Sequence, residues 1–180
     1  MMTELWVLTT GGTLDAVAYA KTPENVAFEG HSKVGITLTN LQAEGRLDKR
    51  VRTIHIREVC QKDSKDLTEA DREALAAAIE QASDSYVLVT HGTDRMPETA
   101  RWLKKRITGK HVAITGSMKP LAHGDPASDG FQNLVDAISM LMADALPGVW
   151  IVMNGTRINP DRAVKDFEKL EIYESDTDLV

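Results

Sequence analysis

The sequence predicts an α/β fold, an open three-layer sandwich around a mainly parallel sheet. Three observations predict it. Short apolar runs alternate with helical patterns along the chain. Two of those runs, Tyr86-Val87-Leu88-Val89 and Val149-Trp150-Ile151-Val152-Met153, are continuous, as strands covered on both faces require. The length, 180 residues, suits one domain with a substantial core.

The elements follow in order. Strands are expected at residues 5–8, 51–59, 86–89, 111–114 and 149–153. Residues 15–34 lack sustained periodicity and include Lys21-Thr22-Pro23-Glu24-Asn25, which reads as a long loop and candidate lid. Thr68 is a good N-cap with Asp71 three residues later, ahead of Ala74, Leu75, Ala78, Ile79 and Ala82 at helical spacing. A second helix over residues 96–107 puts Met96, Ala100, Leu103 and Ile107 on one face, with Pro97 tolerated in its first turn. The third is capped by Ser128, carries Phe131, Leu134, Val135, Ile138, Leu141 and Met142, and stops before Pro147. Residues 171–180 hold four acids and no base, so the domain is expected to span 1–170 with a solvated acidic tail beyond it.

Composition excludes several classes. Lys and Arg number 21 against 27 Asp and Glu, a formal charge of −6, which disfavours nucleic acid and anionic membranes as partners. No run approaches the roughly 18 apolar residues of a membrane span. The N-terminal stretch has neither a basic region nor an apolar core of signal-peptide length, so a cytoplasmic protein is expected. Cys60 is the only cysteine, which excludes an internal disulfide and any CxxC motif.

Ligands of open α/β sheets bind outside the carboxyl ends of the strands. The apolar runs end in Thr9-Thr10-Gly11-Gly12-Thr13, Asp63-Ser64, Thr90-His91-Gly92-Thr93-Asp94, Thr115-Gly116-Ser117-Met118 and Asn154-Gly155-Thr156. One such loop is ordinary turn chemistry. Five together point to a small-molecule site. The histidines (His31, His55, His91, His111 and His123) are scattered without metal-ligand spacing, and Gly11-Gly12 is neither a dinucleotide nor a P-loop motif. What remains is hydroxyls, carboxylates and a lysine, the parts for acyl transfer by threonine or serine.

In this order and spacing, the loops resemble the L-asparaginase family of threonine-dependent amidohydrolases. Thr10-Gly11-Gly12-Thr13 is similar to its first signature and Thr90-His91-Gly92-Thr93-Asp94 to its second. Gly116-Ser117-Met118-Lys119-Pro120, Ser128-Asp129-Gly130 with Asn133, and Val152-Met153-Asn154 also match. The likeness runs over residues 4–166 and covers the family's N-terminal domain, as in its short single-domain members.

The resemblance implies hydrolysis of L-asparagine to L-aspartate and ammonia through a threonyl acyl-enzyme, with no cofactor and no metal. Thr10 becomes the nucleophile. Thr93 forms a relay with Lys165 and can also attack. Its backbone N–H, beside Gly92, helps hold the oxyanion. Asp94 accepts the substrate ammonium, Ser64 and the weaker candidate Asp63 face the α-carboxylate, and Ser117 contacts the departing amide through its backbone. Tyr19 is the tyrosine nearest the position of the family's lid tyrosine. The remaining roles are structural: His91 braces a loop, Asp129 caps a helix, and Cys60 is a small buried apolar residue. The implied partners are a small amino-acid amide and further copies of the chain in a homo-oligomer. Two alternatives stay open, a glutaminase or related amidohydrolase, and a non-catalytic amino-acid-binding module.

Overall fold

The apolar run 5–8 is the middle of a longer strand, β1 (Thr3–Gly11), because the threonines that follow it are buried as well. The computed structural model describes residues 2–16, 18–19, 26–121, 128–143 and 146–177. β1 pairs in parallel with β4 (Val51–Lys62) on one side and β5 (Tyr86–Thr90) on the other. β6 (His111–Thr115) and β7 (Gly148–Met153) extend the sheet in parallel, and β8 (Thr156–Ile158) closes that edge antiparallel to β7. The order is β4-β1-β5-β6-β7-β8. Two strand residues paired across Ala18–Tyr19 (β2) and Val26–Ala27 (β3) lie within the expected loop.

Side chains alternate between the faces of the sheet. Leu8, Val87, Val89, Ile114 and Ile151 meet α2 (Glu69–Gln81) and α3 (Met96–Lys104) on one face. Leu5, Val7, Leu88, Ala113 and Val152 meet α1 (Val34–Ala43) and α4 (Gly130–Ala143) on the other. This is the three-layer sandwich that the continuous apolar runs predict.

Local chemistry sets the helix starts. Thr68 Oγ1 accepts the Asp71 N–H while the Asp71 carboxylate accepts the Thr68 N–H, a complete capping box. Ser128 Oγ accepts the Gly130 N–H. The α1 helix is absent from the sequence reading. Its Val34, Thr37, Leu38 and Leu41 are buried at helical spacing, but Gly35 and the β-branched residues weaken the local signal. Buried Asp15 supports its start from a distance, accepting hydrogen bonds from Ser32 Oγ at 2.8 Å and Lys33 N at 2.9 Å. Burial pushes that carboxyl's pKa upward.

The expected solvated tail is corrected at its beginning. Residues Glu171–Glu174 form β10, antiparallel to β9 (Ala163–Asp166), and Ile172 is buried against the sheet core. The alternation Glu-Ile-Tyr-Glu is a half-buried strand pattern that the acid count hides. Residues 178–180 lie outside the described residues. Among the described residues no helix is long and apolar enough to cross a membrane.

Leu38 is fully buried between α1 and the sheet. Leu38→Ala is expected to lower the unfolding free energy by roughly 2–5 kcal/mol. Urea denaturation checks it, and an unchanged midpoint would remove α1 from the cooperative core.

Candidate active site

The chain leaves β1 toward α1 and β4 on one side and returns through α2 to β5 on the other. The carboxyl ends of β1 and β5 therefore stand at a topological switch point. The loops after these strands touch. Gly12, at φ +77°, lies so close to Gly92 that a Cβ on it would strike the Gly92 backbone. A Cβ on Gly92 would stand 2.8 Å from Ser64 Cβ and Oγ, the first residue of the turn after β4. The glycines expected for turn chemistry are thus needed for close approach.

A cavity of about 640 Å³ opens over these loops. Thr13, in the 3-10 turn Thr13–Asp15, forms part of the wall from β1. Asp63, Ser64 and Lys65 contribute from the turn after β4, and Gly92, Thr93 and Asp94 from the loop after β5. Met118 and Lys119 follow β6, while Lys165 of β9 and Phe167 and Leu170 beyond it complete the lining.

The charged and hydroxyl groups are paired across elements. Lys165 Nζ donates to Thr93 Oγ1 at 3.2 Å and lies 3.0 Å from Met118 Sδ. Burial pushes the Lys165 amine below the ordinary lysine value of 10.5, against the opposing pull of Asp94, Asp129 and Asp166. Asp94 Oδ2 stands 3.2 Å from Lys65 Nζ. Asp63 caps its turn by accepting the Lys65 N–H. Ser64 Oγ accepts the Arg95 N–H at 3.3 Å.

Buried polar residues hold these loops in place. The Asp129 carboxylate accepts the backbone N–H groups of Met118 and Lys119 and one from Asn133 Nδ2. Asn133 also donates to Gly116 O and accepts the Asn154 N–H, tying the ends of β6 and β7 to α4. His91 is fully buried with Nδ1 2.7 Å from Gly92 O, and burial pushes its pKa down to about 4. Cys60 is half-buried rather than buried, and its Sγ donates to Thr10 O at 3.6 Å. Burial pushes its thiol up to about 11, far from a thiolate nucleophile.

Two of the expected site residues do not line the cavity. Thr10 is 1% exposed, donates its hydroxyl to Thr90 O at 2.9 Å and has no place in the cavity wall. It is a core threonine of β1. Thr13, three residues on in the same motif, is the threonine that lines the cavity. The signal for it was the glycine pair, after which the chain turns out of the sheet. Ser117 is likewise buried, with its hydroxyl unpartnered among the described residues, and the wall there is Met118. Thr93, Asp94, Lys165, Ser64, Asp63 and Gly92 all converge. The Tyr19 side chain lies outside the described residues. Lys65, Phe167 and Leu170 escaped the sequence reading because an exposed lysine and two apolar hairpin residues carry no motif.

Fold and site together define a doubly wound α/β domain with a hydroxyl–amine centre at its switch point. The chain belongs to the asparaginase family: the family's model "Asparaginase, N-terminal" matches residues 4–171. An L-asparaginase of Thermococcus kodakarensis is 31% identical over 166 residues, covering 87% of this chain and 47% of that protein. L-asparaginase 2 of Escherichia coli is 31% identical over 156 residues, 83% of this chain and 42% of that protein. The crystal structure of L-asparaginase I from Vibrio cholerae aligns with a TM-score of 0.77 at 25% identity, covering 97% of this chain and 52% of that one. The chain thus spans about half the length of these relatives. Among the described residues no group of three His, Cys, Asp or Glu side chains is placed to hold a metal ion.

Gly12→Ala combines a left-handed backbone with a clash against Gly92, and is expected to cost roughly 2–4 kcal/mol in urea denaturation. An unchanged midpoint would mean that the two loops are free to separate. His91 makes stability depend on pH. The unfolded chain takes up its proton near 6.5 and the folded chain only near 4. Between those values the unfolded state binds more protons, so this contribution is full above 6.5 and falls by up to about 1.4 kcal/mol per pH unit on acidification. Denaturation midpoints measured from pH 7 to pH 4.5 are expected to decline, and a flat profile would contradict a neutral buried His91.

Proposed function

We propose that the chain is an amidohydrolase that converts L-asparagine to L-aspartate and ammonia through a threonyl acyl-enzyme. The observation that carries this reading is Lys165 Nζ, 3.2 Å from Thr93 Oγ1 in a cavity wall and depressed in pKa. An amine that gives up its proton more readily than an ordinary lysine, held beside a hydroxyl, can act as a proton acceptor there.

Thr13 takes the attacking role that the sequence assigns to Thr10. Its Oγ bonds to the side-chain carboxamide carbon, and its proton passes through the Thr93–Lys165 pair to the departing nitrogen, which leaves as ammonia. Water then attacks the acyl ester. The carbon–oxygen bond to Thr13 breaks, one proton returns to Thr13, and the acid is released. The backbone N–H groups of Gly92 and Thr93 are the nearest donors for the oxyanion. Ser64 and the turn that Asp63 caps face the α-carboxylate, and Asp94 faces the α-ammonium. Tyr19 remains the assigned lid residue. Assembly as a homo-oligomer and a cytoplasmic location are part of the same proposal.

Ammonia release from asparagine is the direct test. Thr13→Ala should abolish it, and Lys165→Met should lower kcat by about 10²–10⁴-fold, both with unchanged circular dichroism. Activity is expected to rise with pH through a group titrating below the ordinary lysine value of 10.5 and to lose that limb in Lys165→Met. An active Thr13→Ala enzyme, or an aspartyl adduct mapped to Thr93, would reverse the assignment of the attacking hydroxyl.

A further inference from the structure

Three groups meet in the cavity wall, and one of them takes no part in the hydrolytic steps. Met118 Sδ lies 3.0 Å from Lys165 Nζ and 3.6 Å from Thr93 Oγ1, while Lys165 Nζ lies 3.2 Å from Thr93 Oγ1. The sulfur therefore touches both members of the hydroxyl–amine pair. The Asp129 carboxylate accepts the Met118 N–H at 2.9 Å, which fixes the backbone that carries the sulfur. Met118 is partly exposed to the cavity, whereas Met96, Met142 and Met153 are buried. Met2, 62% exposed, precedes β1, and Met140 lies in the last turn of α4, both at the opposite end of the sheet. Among the described residues, Met118 is thus the methionine that combines access from solvent with a place at the site.

We infer that Met118 is a modification site for peroxide, at which oxidation of the thioether to the sulfoxide parts Lys165 from Thr93 and slows turnover. Only the consequence for turnover rests on the amidohydrolase reading. The cavity, about 640 Å³, is far larger than a molecule of hydrogen peroxide. A sulfur lone pair takes up one peroxide oxygen, the O–O bond breaks, and the other oxygen leaves with both protons as water. Sulfur loses two electrons and the peroxide gains them. A thioether is a weak acceptor, so in the reduced form Lys165 and Thr93 are free to bond to each other. The sulfoxide oxygen carries partial negative charge and accepts strongly. On a sulfur 3.0 Å from the amine, it competes with Thr93 Oγ1 for the Lys165 N–H and with Lys165 for the Thr93 O–H. Asp94, Asp129 and Asp166 act on Lys165 in both forms, so the added oxygen is the change. A hydrogen bond to the ammonium favours the ammonium and opposes proton uptake from a hydroxyl. Methionine sulfoxide reductases return the sulfur to the thioether, which makes the modification reversible.

The test treats the whole chain with hydrogen peroxide and maps sulfoxides by peptide mass spectrometry. Ammonia release from L-asparagine is followed as a fraction of each variant's own untreated rate. With Met118 fully oxidised, the wild-type rate should fall by about tenfold to a hundredfold, the scale of one charge-assisted hydrogen bond. It should return on treatment with methionine sulfoxide reductases. Met118→Leu should keep its own rate within about twofold at the same dose, and a Met2→Leu/Met140→Leu variant should lose activity as the wild type does. Met118→Gln places an amide oxygen there without oxidation and should move the rising limb of activity to higher pH. Independently of turnover, acetylation of Lys165 by acetic anhydride at pH 8 should be about tenfold slower in the oxidised chain, the effect of a one-unit rise in the amine's pKa. Full oxidation at Met118 that leaves turnover or Lys165 labelling unchanged, oxidation at Met2 and Met140 with Met118 intact, or an equal loss in Met118→Leu would overturn the inference. If the untreated chain releases no ammonia, the hydrolase reading fails, while the oxidation map and the labelling of Lys165 still decide the role of Met118.

Discussion

Contact between the loops after β1, β4 and β5 is the constraint on which the rest of the site depends. Gly12 meets the Gly92 backbone, and Gly92 meets Ser64, with no space for a Cβ at either glycine. Strand ends in a parallel sheet are separated by the width of the hydrogen-bonded ladder, about 4.8 Å. Only residues without side chains let the following loops close to backbone contact over that ladder. The closeness brings a threonine hydroxyl, a serine turn and a carboxylate from sequence positions far apart onto one wall. Polar residues beneath, His91, Asp129 and Asn133, then fix the loops by hydrogen bonds to backbone groups.

The placement of charge follows from this frame. Asp94 stands between two amines, Lys65 at 3.2 Å and the partly desolvated Lys165, whose charged form it favours. Burial of Lys165 acts in the opposite sense and prevails, so the lysine beside Thr93 releases its proton below the ordinary lysine value while Lys65 keeps an ion pair with Asp94 at the cavity edge. One carboxylate thus serves two neighbours of different character, and exposure to water distinguishes them.

Much of this was legible in the chain itself. Continuous apolar runs are what strands covered on both faces require, and Thr68 with Asp71 announces α2 by chemistry that the structure repeats atom for atom. The loops that meet the cavity could be read because each follows a strand, and a parallel sheet gathers its strand ends on one side. The α1 helix was hidden because its stability comes from packing and from Asp15, nineteen positions before its Val34, and not from propensity. Thr10 and Thr13 flank the same glycines, and only the depth to which β1 continues decides which of them points into the sheet. Lys65 carries no motif at all, since its significance lies in a partner 29 residues away.

Lys165 reaches the site on the β9–β10 hairpin, a two-stranded sheet separate from the main one. The hairpin is anchored to the core chiefly through Ala163 and Ile172, whereas the main strands are buried on both faces. A two-stranded ribbon with so little buried area opens at lower free energy than the sheet it rests on. Its opening would carry the amine away from Thr93 while leaving the glycine-lined loops and both helix layers folded. The molecule therefore has two thresholds, one for retaining its shape and a lower one for retaining its complete set of reacting groups. Synthesis meets them in the same order, because the hairpin follows every strand of the main sheet along the chain.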